Sequence, residues 1–236
     1  MSQPDVLRGY AADAAELIPK FEALRTPEVL APVEALLPAQ PSRVLDIGAG
    51  TGRDAAWLAG RGHKVVAVEP VRELREAGIE LHPSDRIRWV EDRLPTLGRL
   101  PVPSLYDLIL VIAVWQHLPA SEHRQAIETL AGRLSSAGRL IISLRQGPGS
   151  PTRPCFSADP DRLVGYAEDA ALRLRLRRSA GSVQQKNRDA GVTWTWLCFE
   201  RAGAHAFVEC RLSGQDSSSV ENGPLLDVSI ACFPPR

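Results

Sequence analysis

Apolar and polar residues alternate along residues 41–202 with two different periods, which predict a repeating order of strands and helices. Short apolar runs predict strands at "RVLDIG", "KVVAVEP", "IRWVED", "YDLILVIAV", "GRLIISLR" and "RLRLRRS". Apolar residues at helical spacing predict helices between them, over 52–60, 72–79, 121–135 and 159–172. Strands separated by helices of about ten residues are typical of βαβ units. The pattern therefore predicts an α/β, three-layer sandwich with a mostly parallel sheet and helices on both faces.

The segments on either side of this core follow other patterns. Residues 1–40 carry apolar residues at helical spacing, interrupted by Pro19, Pro27, Pro32 and Pro38. We predict that they form a cap of short helices ahead of the core. The run "VTWTWLCFERA" alternates with period two, which indicates an antiparallel strand with one covered face. Residues 203–236 are an extension without an assigned role, and with 236 residues the whole chain is expected to form one structural domain.

Composition narrows the classes of partner. The chain has 28 basic and 28 acidic residues, so its net charge does not attract a polyanion such as nucleic acid. Its four cysteines lie far apart, without a CxxC motif or zinc spacing, so we predict reduced thiols and no metal site. We find no apolar run of the roughly 18 residues that a membrane helix needs and no secretory signal. We expect a cytoplasmic protein without membrane contact, and the sequence indicates no oligomeric state.

A glycine-rich turn, "GAGTG", follows the first predicted strand, where open α/β sheets bind their ligands. Gly48, Gly50 and Gly52 have the spacing G-x-G-x-G. The nicotinamide dinucleotide fingerprint instead places its third small residue one position later, where this chain has Arg53. A phosphate-binding P-loop would need Gly-Lys-Ser/Thr, which is missing here. The turn therefore favours an adenosine ligand without a pyrophosphate.

Two acidic residues near the turn point to the same kind of ligand. Asp46 lies at the end of the first strand, where a carboxylate would repel a pyrophosphate and attract an amino group. Glu69 follows 23 positions later and is placed to accept hydrogen bonds from ribose hydroxyls. A ligand with a cationic amino-acid end and an intact ribose suits both acids. S-adenosylmethionine has both groups.

The succession of motifs over residues 40–200 resembles that of class I S-adenosylmethionine-dependent methyltransferases. "VLDIGAGTG" is similar to the first motif of that family, and Glu69 to its ribose-binding acid. "VEDRLP" is similar to the end of its third strand, where an acid such as Asp92 meets the adenine amino group. "YDLILVIAVWQHLP" and "LSSAGRLIISLR" are similar to its fourth and fifth strands. The resemblance implies a Rossmann-like, seven-stranded sheet of order 3-2-1-4-5-7-6 with strand 7 antiparallel. It also implies S-adenosylmethionine as cofactor and S-adenosylhomocysteine as product.

The motifs and the resemblance together predict the residues of the site. The predicted cofactor-binding residues are Asp46, Gly48, Ala49, Gly50, Gly52, Arg53, Asp54, Glu69, Pro70, Asp92, Arg93, Leu94 and Ala113. His117, in the loop after the fourth strand, is the candidate catalytic base, because no other side chain in "VWQHLP" titrates near neutrality. Candidate acceptor contacts are Tyr10 as a lid residue, Trp115 as an aromatic wall and Arg145 as a cation for a carboxylate. His117 can instead cap the next helix, and Trp115 can instead belong to the core.

These observations predict an enzyme that moves a methyl group to a nitrogen, oxygen or sulfur atom by in-line displacement. The zero net charge favours a small-molecule acceptor. No Asp/Asn-Pro-Pro-Tyr sequence follows the fourth strand, which argues against methylation of adenine in DNA. Two alternatives stay open, namely a methyltransferase acting on RNA or protein and a non-catalytic binding protein with the methyltransferase fold.

Overall fold

The structure, a computed structural model, describes residues 3–102, 104–149, 153 and 155–202. The chain divides into two compact units, Met1–Gly203 and Ala204–Arg236, and the described residues belong to the first. The extension predicted for residues 203–236 lies outside the described residues.

Strands and helices alternate in the first unit, as the hydrophobic pattern predicts. The strands are β1 Arg43–Ile47, β2 Lys64–Val68, β3 Ile87–Val90, β4 Tyr106–Val111, β5 Leu134–Gln146, β6 Leu172–Gly181 and β7 Thr193–Arg201. The α-helices are α1 Gln3–Ala12, α2 Ala14–Glu22, α3 Thr26–Leu30, α4 Arg53–Gly60, α5 Arg72–Leu81, α6 His123–Gly132, α7 Pro160–Asp169 and α8 Gln185–Asp189. Three 3-10 helices span Ala31–Leu36, Trp115–His117 and Ala120–Glu122. Within the described ranges, none of the helices combines the length and the apolarity needed to span a bilayer.

The seven strands form one sheet of order β3-β2-β1-β4-β5-β7-β6. The first five strands of the chain pair in parallel, whereas β7 is antiparallel to both β5 and β6. The predicted strand order and the antiparallel last strand are confirmed. Because the order reverses between β1 and β4, the loops after these two strands diverge and leave a crevice at their carboxyl ends.

Both faces of the sheet are buried. Val44 of β1 belongs to the same buried cluster as Leu58 of α4, whereas the next residue, Leu45, shares a second cluster with Ile127 of α6. Successive residues of a strand point to opposite faces, so this division places one helical layer on each side of the sheet. The predicted three-layer sandwich is confirmed.

The boundary between α6 and β5 differs from the prediction. The sequence predicts a helix as far as Ser135, but α6 ends at Gly132 and β5 begins at Leu134. Leu134 pairs with Tyr106 of β4, and the Tyr106 N–H donates to the Arg133 carbonyl at 2.9 Å. Pairing with β4 therefore makes Leu134 part of a strand, although the local periodicity of the sequence predicts a helix there.

Two further local features also depart from the pattern. Pro19 does not interrupt a helix but lies inside α2, whose residues Ala14 and Leu17 are buried. Packing of this apolar face stabilises α2 despite the hydrogen bond that proline removes. The short helix α8 connects β6 to β7, where the sequence predicted none.

Two glycines within helices differ in the space around them, so replacing each with alanine should have opposite effects on stability. A Cβ on Gly78 of α5 would lie 2.7 Å from the Thr51 carbonyl oxygen and closer still to the Trp89 ring, whereas one on Gly165 of α7 would meet no atom within 4 Å. We expect Gly78→Ala to lower the free energy of unfolding by about 1–3 kcal/mol. We expect Gly165→Ala to raise it by up to about 1 kcal/mol, because alanine has the higher helix propensity. Urea unfolding measures both values, and unchanged stability of G78A would contradict the close packing of α5 against the glycine turn.

Candidate cofactor and acceptor site

A cavity of about 610 Å³ lies at the carboxyl ends of β1, β2 and β4. Small-molecule sites usually measure about 300–1,000 Å³, so this volume suits a cofactor and a small second ligand. Most of the predicted site residues line it, namely Tyr10, Gly48, Ala49, Gly50, Arg53, Asp54, Glu69, Pro70, Asp92, Arg93, Leu94, Ala113, His117 and Arg145. Leu17 and Phe21 of α2 also line the cavity, so the N-terminal helices form part of its wall.

The turn after β1 uses the conformational freedom of its glycines. Gly48, Gly50 and Gly52 have φ angles of 67°, 58° and 78°, which side chains with a Cβ rarely adopt. A Cβ on Gly48 would also overlap the Val114 side chain in the loop after β4. The Gly48 N–H donates to the Val68 carbonyl of β2 at 2.8 Å, which holds the turn against the sheet. The turn is therefore a backbone cradle that only glycine permits.

Glu69 joins this turn to the start of α5. One carboxylate oxygen accepts the Gly50 N–H at 2.8 Å, and the other accepts the Val71 N–H at 2.8 Å. Glu69 is only 4% exposed, and this burial raises its pKa to about 7 although the two hydrogen bonds act in the opposite direction. Each carboxylate oxygen keeps a further acceptor position. Glu69 can therefore also accept hydrogen bonds from the two hydroxyls of a ribose.

Asp46 lies below the turn and does not line the cavity. Its Oδ2 atom is buried and has no hydrogen-bond partner among the described residues. Burial, together with the nearby Asp54 carboxylate, raises the pKa of Asp46 to about 8. Asp46 therefore lies behind the cavity wall, whereas the sequence predicts a direct contact with a ligand amino group. Asp46 instead places a titratable group beneath the cradle.

Gly52 and Trp115 also lie away from the cavity wall. A Cβ on Gly52 would be 2.6 Å from the Trp89 ring, so this glycine allows Trp89 to pack against the turn. Trp115 is fully buried in the apolar core, with its ring centroid 5.1 Å from that of His123. The prediction that Trp115 contacts the acceptor is wrong, because the 3-10 turn that contains it directs the indole into the core.

Arg53 and Asp54 connect the turn to the N-terminal helices. Their side chains form a two-pronged ion pair with N–O distances of 2.9 and 2.8 Å. Arg53 also donates to the Phe21 carbonyl at 2.9 Å, and the Thr26 hydroxyl donates to Asp54 at 2.7 Å. Both residues line the cavity, but their polar atoms hold α2 and α3 in place. The structure thus shows positioning contacts where the sequence predicted cofactor contacts.

Asp92 caps the turn after β3. Its two oxygens accept the N–H groups of Arg93 at 2.8 Å and Arg99 at 2.6 Å. Asp92 and the neighbouring Leu94 also line the cavity. Because each oxygen retains an acceptor position, turn capping leaves Asp92 able to accept a hydrogen bond from an adenine amino group.

The loop after β4 brings His117 against α1. The Tyr10 hydroxyl oxygen lies 2.9 Å from His117 Nε2, and the two rings meet edge to face with centroids 5.4 Å apart. Burial raises the pKa of Tyr10 to about 12. The Gln116 side-chain amide donates to the Ala113 carbonyl at 2.6 Å, and its nitrogen lies 3.3 Å from His117 Nε2. Ala113 itself has a φ of 57°, and its N–H donates to the Ser143 hydroxyl at 2.8 Å.

Arg145 lines the same cavity from the end of β5. Its guanidinium donates twice to the Pro148 carbonyl, at 3.3 and 2.8 Å, and lies 5.7 Å from the centroid of the Trp194 ring. These contacts hold the guanidinium at the cavity wall, where its charge acts on Tyr10.

Several residues that line the cavity were not predicted from the sequence, namely Leu17, Phe21, Gln116, Ser143, Arg153 and Trp194. For some of them the sequence pattern contains an indication. Ser143 is the polar interruption of the apolar run "LIISL", and Leu17 and Phe21 share one helical face. Arg153 forms an ion pair with Asp13 of the N-terminal segment, a long-range contact with no local signal.

Comparison with known proteins agrees with this geometry. Residues 21–208 match a family model described as a methyltransferase domain. A solved structure of 1,6-didemethyltoxoflavin-N1-methyltransferase from Burkholderia thailandensis has a TM-score of 0.64 at 20% identity, covering 85% of this chain and 91% of that one. A TehB-like SAM-dependent methyltransferase from Corynebacterium glutamicum has a TM-score of 0.58 at 19% identity, covering 84% and 99%. At these identities the likeness shows the fold.

Proteins with similar sequences are also named methyltransferases. Glycine N-methyltransferase from Oryctolagus cuniculus is 30% identical over 143 residues, which cover 54% of this chain and 48% of that protein. The chain spans about half the length of the curated relatives it matches. The family match extends over most of the chain, and the resemblance to class I enzymes is confirmed. The chain belongs to the methyltransferase-domain family, and its fold is that of the S-adenosylmethionine-dependent methyltransferases among the solved structures.

Proposed function

We propose that this chain binds S-adenosylmethionine against the glycine turn and transfers the methyl group to a small-molecule acceptor held beside Tyr10 and His117. The observation that carries the proposal is that one cavity borders both sets of residues. Gly50 and Glu69 lie on its wall at the ends of β1 and β2, and Tyr10 and His117 lie on the wall formed by α1 and the loop after β4. A donor and an acceptor can therefore meet inside a single cavity.

The residues present fit this cofactor. Gly48 and Gly50 line the cavity in backbone conformations that residues with a Cβ rarely adopt, and Glu69 has acceptor positions for two ribose hydroxyls. The Glu69 carboxylate on the cavity wall favours a ligand with hydroxyl donors and cationic groups. When bound, the cofactor supplies a methyl group that its sulfonium has already activated.

The chain's own contribution is alignment and exclusion of water. In-line transfer requires the acceptor lone pair to point at the methyl carbon in a dry site. Leu17 and Phe21 give the cavity an apolar wall, and the Arg53 contact with the Phe21 carbonyl holds that wall in place. The Thr51 hydroxyl also donates to Glu22, which ties the end of α2 to the glycine turn.

A small acceptor agrees with the shape and charge of the site. The N-terminal helices line the cavity, which limits the space for a polymer, and the zero net charge does not attract nucleic acid. The Burkholderia thailandensis neighbour was solved with 1,6-didemethyltoxoflavin and S-adenosylhomocysteine bound. By analogy we place the acceptor of this chain near Arg145, with Tyr10 or His117 accepting a proton where the acceptor carries one.

Methyl transfer to separate pools of candidate acceptors tests the function. Purified protein is incubated with methyl-labelled S-adenosylmethionine and a pool of small amines, phenols and carboxylic acids, or with total RNA, or with unfolded protein. We expect label in the small-molecule pool. Label only in RNA or protein would contradict a small acceptor. Binding of S-adenosylhomocysteine without transfer to any pool would support a non-catalytic binding protein.

Replacing Glu69 tests the position of the ribose. We expect Glu69→Gln to weaken the binding of S-adenosylhomocysteine by about 1–3 kcal/mol, because a buried charged acceptor is lost. Calorimetric titration measures the change. Glu73→Gln, on the exposed first turn of α5, is the matched control and should leave the affinity unchanged. Equal affinities for E69Q and the wild type would show that the ribose lies elsewhere.

The buried Asp46 predicts a pH dependence of stability. The folded protein keeps a proton on Asp46 up to a pKa of about 8, whereas the unfolded chain releases it near 3.8. The folded state therefore binds more protons between these values, and the free energy of unfolding should fall as the pH rises through this interval. We expect a less steep fall for Asp46→Asn. Urea unfolding of the ligand-free protein at several pH values measures the slopes, and parallel curves for the two proteins would contradict this assignment.

A further inference from the structure

We propose that Tyr10 and His117 form a proton relay, in which the Tyr10 hydroxyl contacts an N–H or O–H group of the acceptor and His117 receives the proton. The proposal rests on the proposed function. It goes beyond that function by naming the group that touches the acceptor and by restricting the acceptor to molecules with a hydrogen-bond donor at the methylated atom.

The side chain of Gln116 indicates which nitrogen of His117 carries the proton. A carbonyl oxygen only accepts hydrogen bonds, so the 2.6 Å contact with the Ala113 carbonyl requires the amide NH₂ of Gln116 on that side. The same NH₂ group lies 3.3 Å from His117 Nε2. Because an amide nitrogen only donates, a proton on Nε2 would face another donor. His117 Nε2 is therefore the unprotonated, accepting nitrogen of a neutral imidazole, and Gln116 is a positioning residue.

The protonation of His117 in turn orients the Tyr10 hydroxyl. With Nε2 as an acceptor, the 2.9 Å contact is a hydrogen bond that Tyr10 donates. The lone pairs of the hydroxyl oxygen are then not used in this bond. Because Tyr10 lines the cavity, this oxygen can accept a hydrogen bond from a bound ligand. A methyl acceptor with an N–H or O–H group can donate a hydrogen bond to this oxygen, whereas a molecule without such a group cannot.

Burial keeps the Tyr10 hydroxyl neutral although two arginines lie near it. The Arg153 guanidinium lies 5.3 Å from the centroid of the Tyr10 ring and is paired with Asp13. Besides His117, which it contacts, Tyr10 also lies near Arg145, Cys155 and Glu69. Burial outweighs the two arginines and raises the pKa of Tyr10 to about 12. Tyr10 therefore transmits a proton rather than acting as a phenolate base.

The proposed step conserves protons and electron pairs. The acceptor lone pair forms a bond to the methyl carbon, and the carbon–sulfur bond breaks with its electron pair left on sulfur. The proton of the acceptor atom moves to the Tyr10 oxygen as the proton of Tyr10 moves to His117 Nε2. His117 ends as an imidazolium, which solvent deprotonates before the next cycle. Amines, amides with an N–H group, phenols and alcohols meet the requirement.

Nitrogen NMR of the histidine side chains tests the relay without knowledge of the natural acceptor. The protein is labelled with ¹⁵N-histidine and saturated with S-adenosylhomocysteine, and His117→Asn identifies the resonances of His117. We expect a neutral ring with Nε2 unprotonated. Gln116→Glu replaces the donor with a carboxylate acceptor, so it should move a proton onto Nε2. A proton on Nε2 in the wild-type protein would overturn the proposal whatever the variants show.

Phenol and anisole probe the acceptor position as a matched pair that differs in one O–H group. We expect phenol to shift the His117 resonances and anisole to leave them in place. Tyr10→Phe should weaken phenol binding about fivefold, the loss expected for one neutral hydrogen bond, with little change for anisole. Equal effects of Y10F on both probes would contradict the contact.

The same samples separate this proposal from the proposed function. Calorimetry with S-adenosylhomocysteine and methyl transfer to the small-molecule pool report on the function. If both succeed while His117 carries its proton on Nε2, the relay alone fails. If S-adenosylhomocysteine does not bind, the proposed function fails, and the tautomer of His117 is then measured on the ligand-free protein.

Discussion

The two backbone hydrogen bonds of Glu69 are the constraint on which the site depends. One carboxylate group holds Gly50 in the turn after β1 and Val71 at the start of α5. A buried carboxylate is costly unless it is hydrogen-bonded, so these contacts both permit its burial and fix the distance between the two loops. The cradle, the start of α5 and one wall of the cavity follow from this single side chain. Glu69 also lines the cavity and keeps further acceptor positions on both oxygens.

The N-terminal helices complete the cavity through polar contacts with the same turn. Arg53 reaches the Phe21 carbonyl, Asp54 accepts from Thr26, and Thr51 donates to the end of α2. The segment is amphipathic, but its apolar face alone would not specify where it docks. Because these anchors begin at the glycine turn, the same turn lines the cavity and positions α2, the helix that follows α1 and its Tyr10. Two walls of the cavity thus depend on one turn.

Buried acids give the ligand-free site an unusual charge balance. Desolvation raises the pKa values of Asp46 and Glu69 to about 8 and about 7, so both resist ionisation near neutrality. A ligand with cationic groups and hydroxyl donors would stabilise their charged forms. Such a ligand would therefore lower the pKa of Glu69, which lines the cavity. Burial likewise keeps the Tyr10 hydroxyl neutral.

The sequence by itself determined the alternation of strands and helices, the glycine turn and the place of Glu69, because these depend on local periodicity and on short spacings. The strand order followed from the resemblance of the motifs. Only the tertiary structure decided which polar and aromatic residues meet. Trp115 enters the core although it is two residues from His117, and Arg53 donates to the Phe21 carbonyl at the end of α2. Tyr10 and His117 are separated by 107 positions and meet only because the N-terminal helices pack across the crevice, a contact that no local pattern encodes.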